Sequence, residues 1–162
     1  FVSTAGLAAS PKHGWRFFEA LRKNNVTCEP GNGAVETKLL SGQLAVGMLL
    51  EENVLKAANE GKPLGFIYPS DGPVVIPAPI GIMKTTKNQA AAKAVYDFFL
   101  SKEGQQAIIN GWMPSVRPDM PAPKNAALTM KDVRKFALPM DWEAISREPE
   151  KVKEKFDQVV LH

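Results

Sequence analysis

Cysteine occurs once in this sequence, at Cys28, which excludes an internal disulfide. Histidine occurs twice, at His13 and His162. With one cysteine, two histidines so far apart cannot give the ligand spacing of a zinc site. Nucleophilic or hydrolytic catalysis needs a nucleophile with a base placed beside it. His13 falls in a turn between helices, His162 is the last residue and Cys28 has no evident partner, so each reads as solvated or structural. An enzyme is not expected, and neither is a cofactor or a metal. Long hydrophobic runs are also missing. The longest nearly apolar stretch, "GPVVIPAPIGIM" (72–83), is too short to span a bilayer and is broken by Pro73, Pro77 and Pro79. Glycine-rich phosphate loops are absent: "GNG" (31–33) is too short for a dinucleotide fingerprint and reads as a tight turn before a helix. Lysine and arginine are scattered among acids and the net charge is only +3. No basic stripe with interleaved aromatics points to nucleic acid. The sequence opens on Phe1 with no basic segment before it, and is expected to be a piece of something longer.

What is present is the composition of a globular domain, 44% hydrophobic and 23% charged over 162 residues. "FVSTAGLAAS" reads as a helix already under way, broken by "PKHG" (11–14). "WRFFEALRKNN" (15–25) has Trp15, Phe18 and Leu21 or Arg22 at helical spacing and basic residues in its last turn, where the helix dipole favours them. "VTCEP" (26–30), "QLAVGMLL" (43–50) and "PLGFIYP" (63–69) read as strands. Between them lie two short helices, "AVETKLLSG" with Val35 and Leu39 inward, and "ENVLKAANEG", each ended by glycine. Segment 73–83 is extended. "NQAAAKAVYDFFL" (88–100) is the strongest helix pattern, with Ala91, Val95 and Phe98 or Phe99 on one face. Ser101 caps a following helix, "KEGQQAIIN". The prolines at 114, 118, 121 and 123 make the next stretch irregular, and "DWEAISREPEKVKEKFDQVV" is helical with Pro149 in a first turn. Strands alternating with helices predict an α/β fold with a largely parallel sheet.

In open α/β sheets, ligands sit beyond the carboxyl ends of strands. Asn32, Glu51 with Glu52, and Asp71 each follow a predicted strand. Each also has a structural explanation: Asn32 as a helix cap, Glu52 as a first-turn acid, Asp71 as a turn residue before Gly72. Their occurrence on one sheet edge points to a ligand cleft. Arg117 in "MPSVRP" offers an anion contact, but an arginine among prolines reads as solvated.

The runs "GNGAVETKLLSGQLAVGMLL", "GKPLGFIYPSDGPVVIPAPIGIMKTTKNQAAAKAVYDFFLSKEGQQAI" and "LPMDWEAI" resemble the bacterial extracellular solute-binding proteins of the ferric-iron, phosphonate and sugar-phosphate group. These are the type II periplasmic receptors of ABC importers. The resemblance implies two α/β lobes that close on ligand about a hinge. It assigns 1–72 to the second lobe, truncated at its start. Residues 73–132 become the hinge crossing with helices that pack on the first lobe, and 133–162 the helices returning to the second. It implies a periplasmic location, or a lipid-anchored extracellular one in a Gram-positive source, with a membrane permease as partner. The family's anion-binding Ser-Gly turn is expected just before Phe1, so Ser3 and Thr4 are not that turn. Asn32 matches an asparagine that reaches the bound anion, Glu51 and Glu52 fall at the ligand-contacting strand end, and Asp71 matches an acid of the sugar-phosphate receptors.

Ferric receptors of the group carry two adjacent tyrosines where this chain has Glu52 and Asn53. The sugar-phosphate receptors have a His-Asp pair where this chain has two glutamates. The ligand expected from the resemblance is a small phosphorylated or phosphonate solute, whose hydroxyls the acids would accept hydrogen bonds from. The alternatives are ferric iron on carboxylates, which are also hard oxygen donors, and a structural or interaction domain whose acids only cap helices. Apolar faces on 74–83 and 88–110 predict self-association as a dimer, with exchange of this segment between chains as one form of it.

Overall fold

The computed structural model describes residues 2–162, and of Val2 only its backbone; Phe1, the first residue of the expected opening helix, lies outside the described residues. The helices among the described residues are α1 (Val2–Ala9), α2 (Gly14–Lys23), α3 (Asn32–Leu40), α4 (Glu51–Asn59), α5 (Gln89–Leu100), α6 (Lys102–Asn110), α7 (Met130–Val133), α8 (Trp142–Arg147) and α9 (Pro149–Phe156). A π-helical turn, Asp157–Leu161, follows α9. They belong to two units. Unit 1 is built from Phe1–Cys28, Tyr68–Pro77 and Phe136–His162, and unit 2 from Glu29–Ile67 and Ala78–Lys135.

Unit 1 forms around α2. Phe18, buried on the apolar face of that helix, meets Leu7 of α1 and Leu138. Trp15, Leu21, Val74, Phe156 and Val159 close the cluster from its edges. Phe18 and Phe156 meet edge-to-face with centroids 5.7 Å apart. Burial of a side chain the size of Phe18 contributes about 2–3 kcal/mol. The Arg22 guanidinium, in the last turn of α2, donates to the His162 carbonyl. The Lys155 ammonium lies 4.9 Å from the Trp15 ring centroid. The chain passes through the unit a second time at 68–77, where the Leu138 N–H donates to the Pro73 carbonyl (3.0 Å). Gly72, at φ +115°, makes room there: a Cβ would stand 2.5 Å from the Phe136 carbonyl oxygen.

Unit 2 departs from the expected α/β layering. None of its described residues joins a β-ladder, and the same is true of unit 1. Segments 43–50 and 63–69 are non-helical, and the amides of Leu44 and Leu64 bond locally, to Lys38 (3.1 Å) and Lys62 (2.9 Å). Extended chain becomes sheet only when a neighbour supplies the ladder. Segment 43–50 instead lies along α3, so closely that a Cβ at Gly47 would stand 2.7 Å from Val35 Cγ1. Its other apolar side chains turn outward, Val46 86% and Met48 64% exposed, and Ile67 in the next segment is 87% exposed.

The helix pattern is closer to expectation. Ser101 caps α6 by accepting from the Gly104 N–H, and Pro149 occupies the first turn of α9. The Ala91–Val95–Phe98 face of α5 is exposed, as the expected apolar surface requires. Beyond α6, Arg117 is not simply solvated. Its guanidinium donates from Nε and one terminal nitrogen to the two oxygens of Asp119 (3.0 and 3.1 Å), and Lys102 adds a third contact at 3.2 Å. These hydrogen bonds, Arg117 first and then Lys102, hold the Asp119 carboxyl at about 2 instead of 3.8. A carboxyl depressed on folding stabilises above its unfolded value and loses that contribution as pH falls through its folded value. The native state is therefore expected to lose this contribution between about pH 4 and pH 2. In urea titrations across that range, Asp119→Asn should give a flatter pH dependence than the parent; equal slopes would contradict it.

Candidate functional site

The acids of "VGMLLEENVL" form the first turn of α4. Leu50, extended at φ −70° and ψ 139°, is its N-cap and contributes no side-chain cap. Glu51 and Glu52 therefore supply the negative charge that the helix N-terminus favours. Both are half-buried, as is Asn53. Val54, Leu55 and Ala57 are the buried residues of the helix. Asn53 is the unusual residue. Its amide oxygen is fully buried and accepts no hydrogen bond from any described residue, a state that costs about 1–3 kcal/mol when left uncompensated.

α3 packs against α4. Its N-cap is Gly31, and Asn32 is its first helical residue rather than its cap; Asn32 is exposed. The Gly31 carbonyl accepts from Ala34 and Val35. Other acids around α3 are matched: Glu29 pairs with Lys38 at 2.5 Å, and Glu36 with Lys62 at 3.2 Å. The Glu52 carboxylate makes no hydrogen bond or ion pair with a described residue.

Asp71 belongs to unit 1, whereas Asn32, Glu51 and Glu52 belong to unit 2. Its carboxylate oxygen Oδ2 accepts from His13 Nε2 at 2.6 Å, and its backbone carbonyl accepts from Lys12 Nζ at 3.3 Å. His13 Nδ1 lies 3.2 Å from the hydroxyl of Ser10, which is itself buried. Because Nε2 carries the proton shared with Asp71, neutral His13 accepts from Ser10 at Nδ1. The bond to His13, followed by one from its own backbone N–H, holds the Asp71 carboxyl below the usual range. His13 is structural as expected but not solvated: its side chain is only 10% exposed. Nothing in "PKHG" announces a partner 58 positions away. No group of three or more His, Cys, Asp or Glu among the described residues could hold a metal ion.

Glu51 and Glu52 put two carboxylates in the first turn of α4. Residues 9–146 match the family described as bacterial extracellular solute-binding protein, and the chain belongs to that family. Among its relatives is the spermidine/putrescine-binding periplasmic protein 1 of Haemophilus influenzae, 31% identical over 83 residues. That match covers 51% of this chain and 22% of the relative's length. No solved structure matches the chain.

Proposed function

We propose that the protein is the solute-capturing receptor of an ABC importer, working outside the cytoplasm as part of a two-lobed type II architecture. Its solute presents hydrogen-bond donors to the first turn of α4. One observation carries the ligand class: two adjacent carboxylates, Glu51 and Glu52, form the acidic first turn of α4, both only half-buried. Such a set attracts ammonium or hydroxyl groups and repels phosphate. The polyamine named for the Haemophilus influenzae relative supports the ammonium form. On this reading the receptor takes an organic polycation of the putrescine and spermidine type.

A second reading rests on α3. Gly31 gives that helix no side-chain cap, and an open helix start beside Asn32 suits an anion. A phosphorylated solute would set its phosphate there and its hydroxyls on the α4 acids.

Calorimetry of the protein with spermidine and with a hexose phosphate separates the two. Glu52→Gln keeps the shape and removes the charge. It is expected to weaken spermidine binding tenfold or more, while costing the helix under about 1 kcal/mol. Spermidine binding unchanged by Glu52→Gln would refute the polycation reading, and tight hexose phosphate binding without spermidine binding would establish the second.

A further inference from the structure

Unit 1 carries a cavity of about 300 Å³ where the end of α1 meets the start of α8. Gly6, Ala9, Ser10 and Pro11 line it from the α1 end, and Pro139, Met140 and Asp141 from the α8 start. The walls are mostly apolar. Gly6 leaves the room that the Met140 thioether occupies, since a Cβ there would overlap Met140 Sδ and Cε.

The polar groups in this lining have unequal freedom. The Ser10 hydroxyl is committed to His13 and to the Lys12 N–H. Lys12, next to Pro11 in the chain, directs its ammonium to the Asp71 carbonyl. Asp141 is the ionisable side chain of the lining. Its Oδ1 accepts from the Ala144 N–H at 2.9 Å and so caps α8, while Oδ2 has no hydrogen-bond partner among the described residues.

We propose that this cavity binds a small primary amine with an apolar body. The ammonium is held on Asp141 Oδ2, and the body lies against Met140, Pro139 and Pro11. The site lies wholly in unit 1 and does not depend on the reading of α4.

Cyclohexylammonium is a suitable probe, with cyclohexanol and cyclohexanecarboxylate as neutral and anionic controls. The readout is the ¹³C-methyl resonance of Met140 in methionine-labelled protein, which reports on this cavity alone. The amine should shift that resonance saturably, with at least tenfold weaker effects from either control. Asp141→Asn should weaken the amine tenfold or more without changing thermal stability, because asparagine caps a helix as well as aspartate does. Ala9→Leu, which fills the cavity from its exposed rim and keeps the carboxylate, should abolish the shift. An unmoved Met140 signal, equal binding of the carboxylate, or amine affinity untouched by either variant would overturn the proposal.

Discussion

Alanine at position 104 is expected to destabilise the α5–α6 corner by about 3 kcal/mol, at the upper end for overpacking. A Cβ on Gly104 would stand 2.0 Å from the Phe98 carbonyl oxygen, 2.8 Å from its carbon and 3.0 Å from Phe99 Cα. All three are backbone atoms, so no side chain can swing aside. The crowding follows from the cap. Ser101 Oγ donates to the Phe98 carbonyl at 2.7 Å and accepts from the Gly104 N–H at 3.0 Å. One hydroxyl thereby draws the first turn of α6 onto the last turn of α5, and only glycine fits at that distance. Hydrogen exchange of the α5 and α6 amides should show protection falling by about two orders of magnitude. Protection within threefold of the parent would mean that the corner can open without cost.

A loss of similar size, about 3 kcal/mol, is expected for Gln105→Leu. Gln105 is 2% exposed. Its Nε2 donates to the Phe99 carbonyl at 2.7 Å, and its Oε1 accepts from the Ser115 hydroxyl at 2.7 Å and the Val116 N–H at 2.9 Å. Leucine nearly matches the volume but takes their partner from the Phe99 carbonyl and the Val116 N–H. It also leaves the buried Ser115 hydroxyl without its acceptor, although that hydroxyl still accepts from the Arg117 N–H at 3.0 Å. Ser115→Ala should cost only about 1 kcal/mol, because Gln105 keeps two of its three bonds and the Arg117 N–H that loses the hydroxyl is only part-buried. Urea denaturation of the two variants checks the order. Equal costs would show that burial of Gln105, rather than its hydrogen bonds, stabilises the segment. Both substitutions act on the same corner, so the double variant should lose less than the sum.

Local signals in the sequence located the helices well, because a cap and its helix lie within a few residues of one another. Ser101, Pro149 and the glycines after α3 and α4 act over that range. The expected strands were inferred from apolar runs, which identify residue types but not ladder partners. In 43–50 the chain follows α3 through Gly47, and Val46 and Met48 face outward. The candidate site was legible as residue types at element starts. Glu51 and Glu52 do begin a helix, yet the feature that sets that turn apart is the buried oxygen of Asn53, which tertiary packing alone creates. Asp71 was legible as a turn residue before Gly72. Its hold by His13 was not, since a hydrogen bond across 58 positions leaves no local pattern.

The discontinuity of unit 1 has a consequence for the order in which the molecule can be made. Its three segments, Phe1–Cys28, Tyr68–Pro77 and Phe136–His162, are separated by the whole of unit 2. A chain emerging from its N-terminus presents Phe18 early but supplies Leu138, Phe156 and Val159, which pack with it, only at the end. Unit 2 has all its residues before unit 1 does, and the His13–Asp71 bond can form before the core around it is closed. The first helices must therefore remain unconsolidated until the last ones arrive. That interval exposes Trp15, Phe17 and Phe18 together, an aromatic cluster of the kind that chaperones cover.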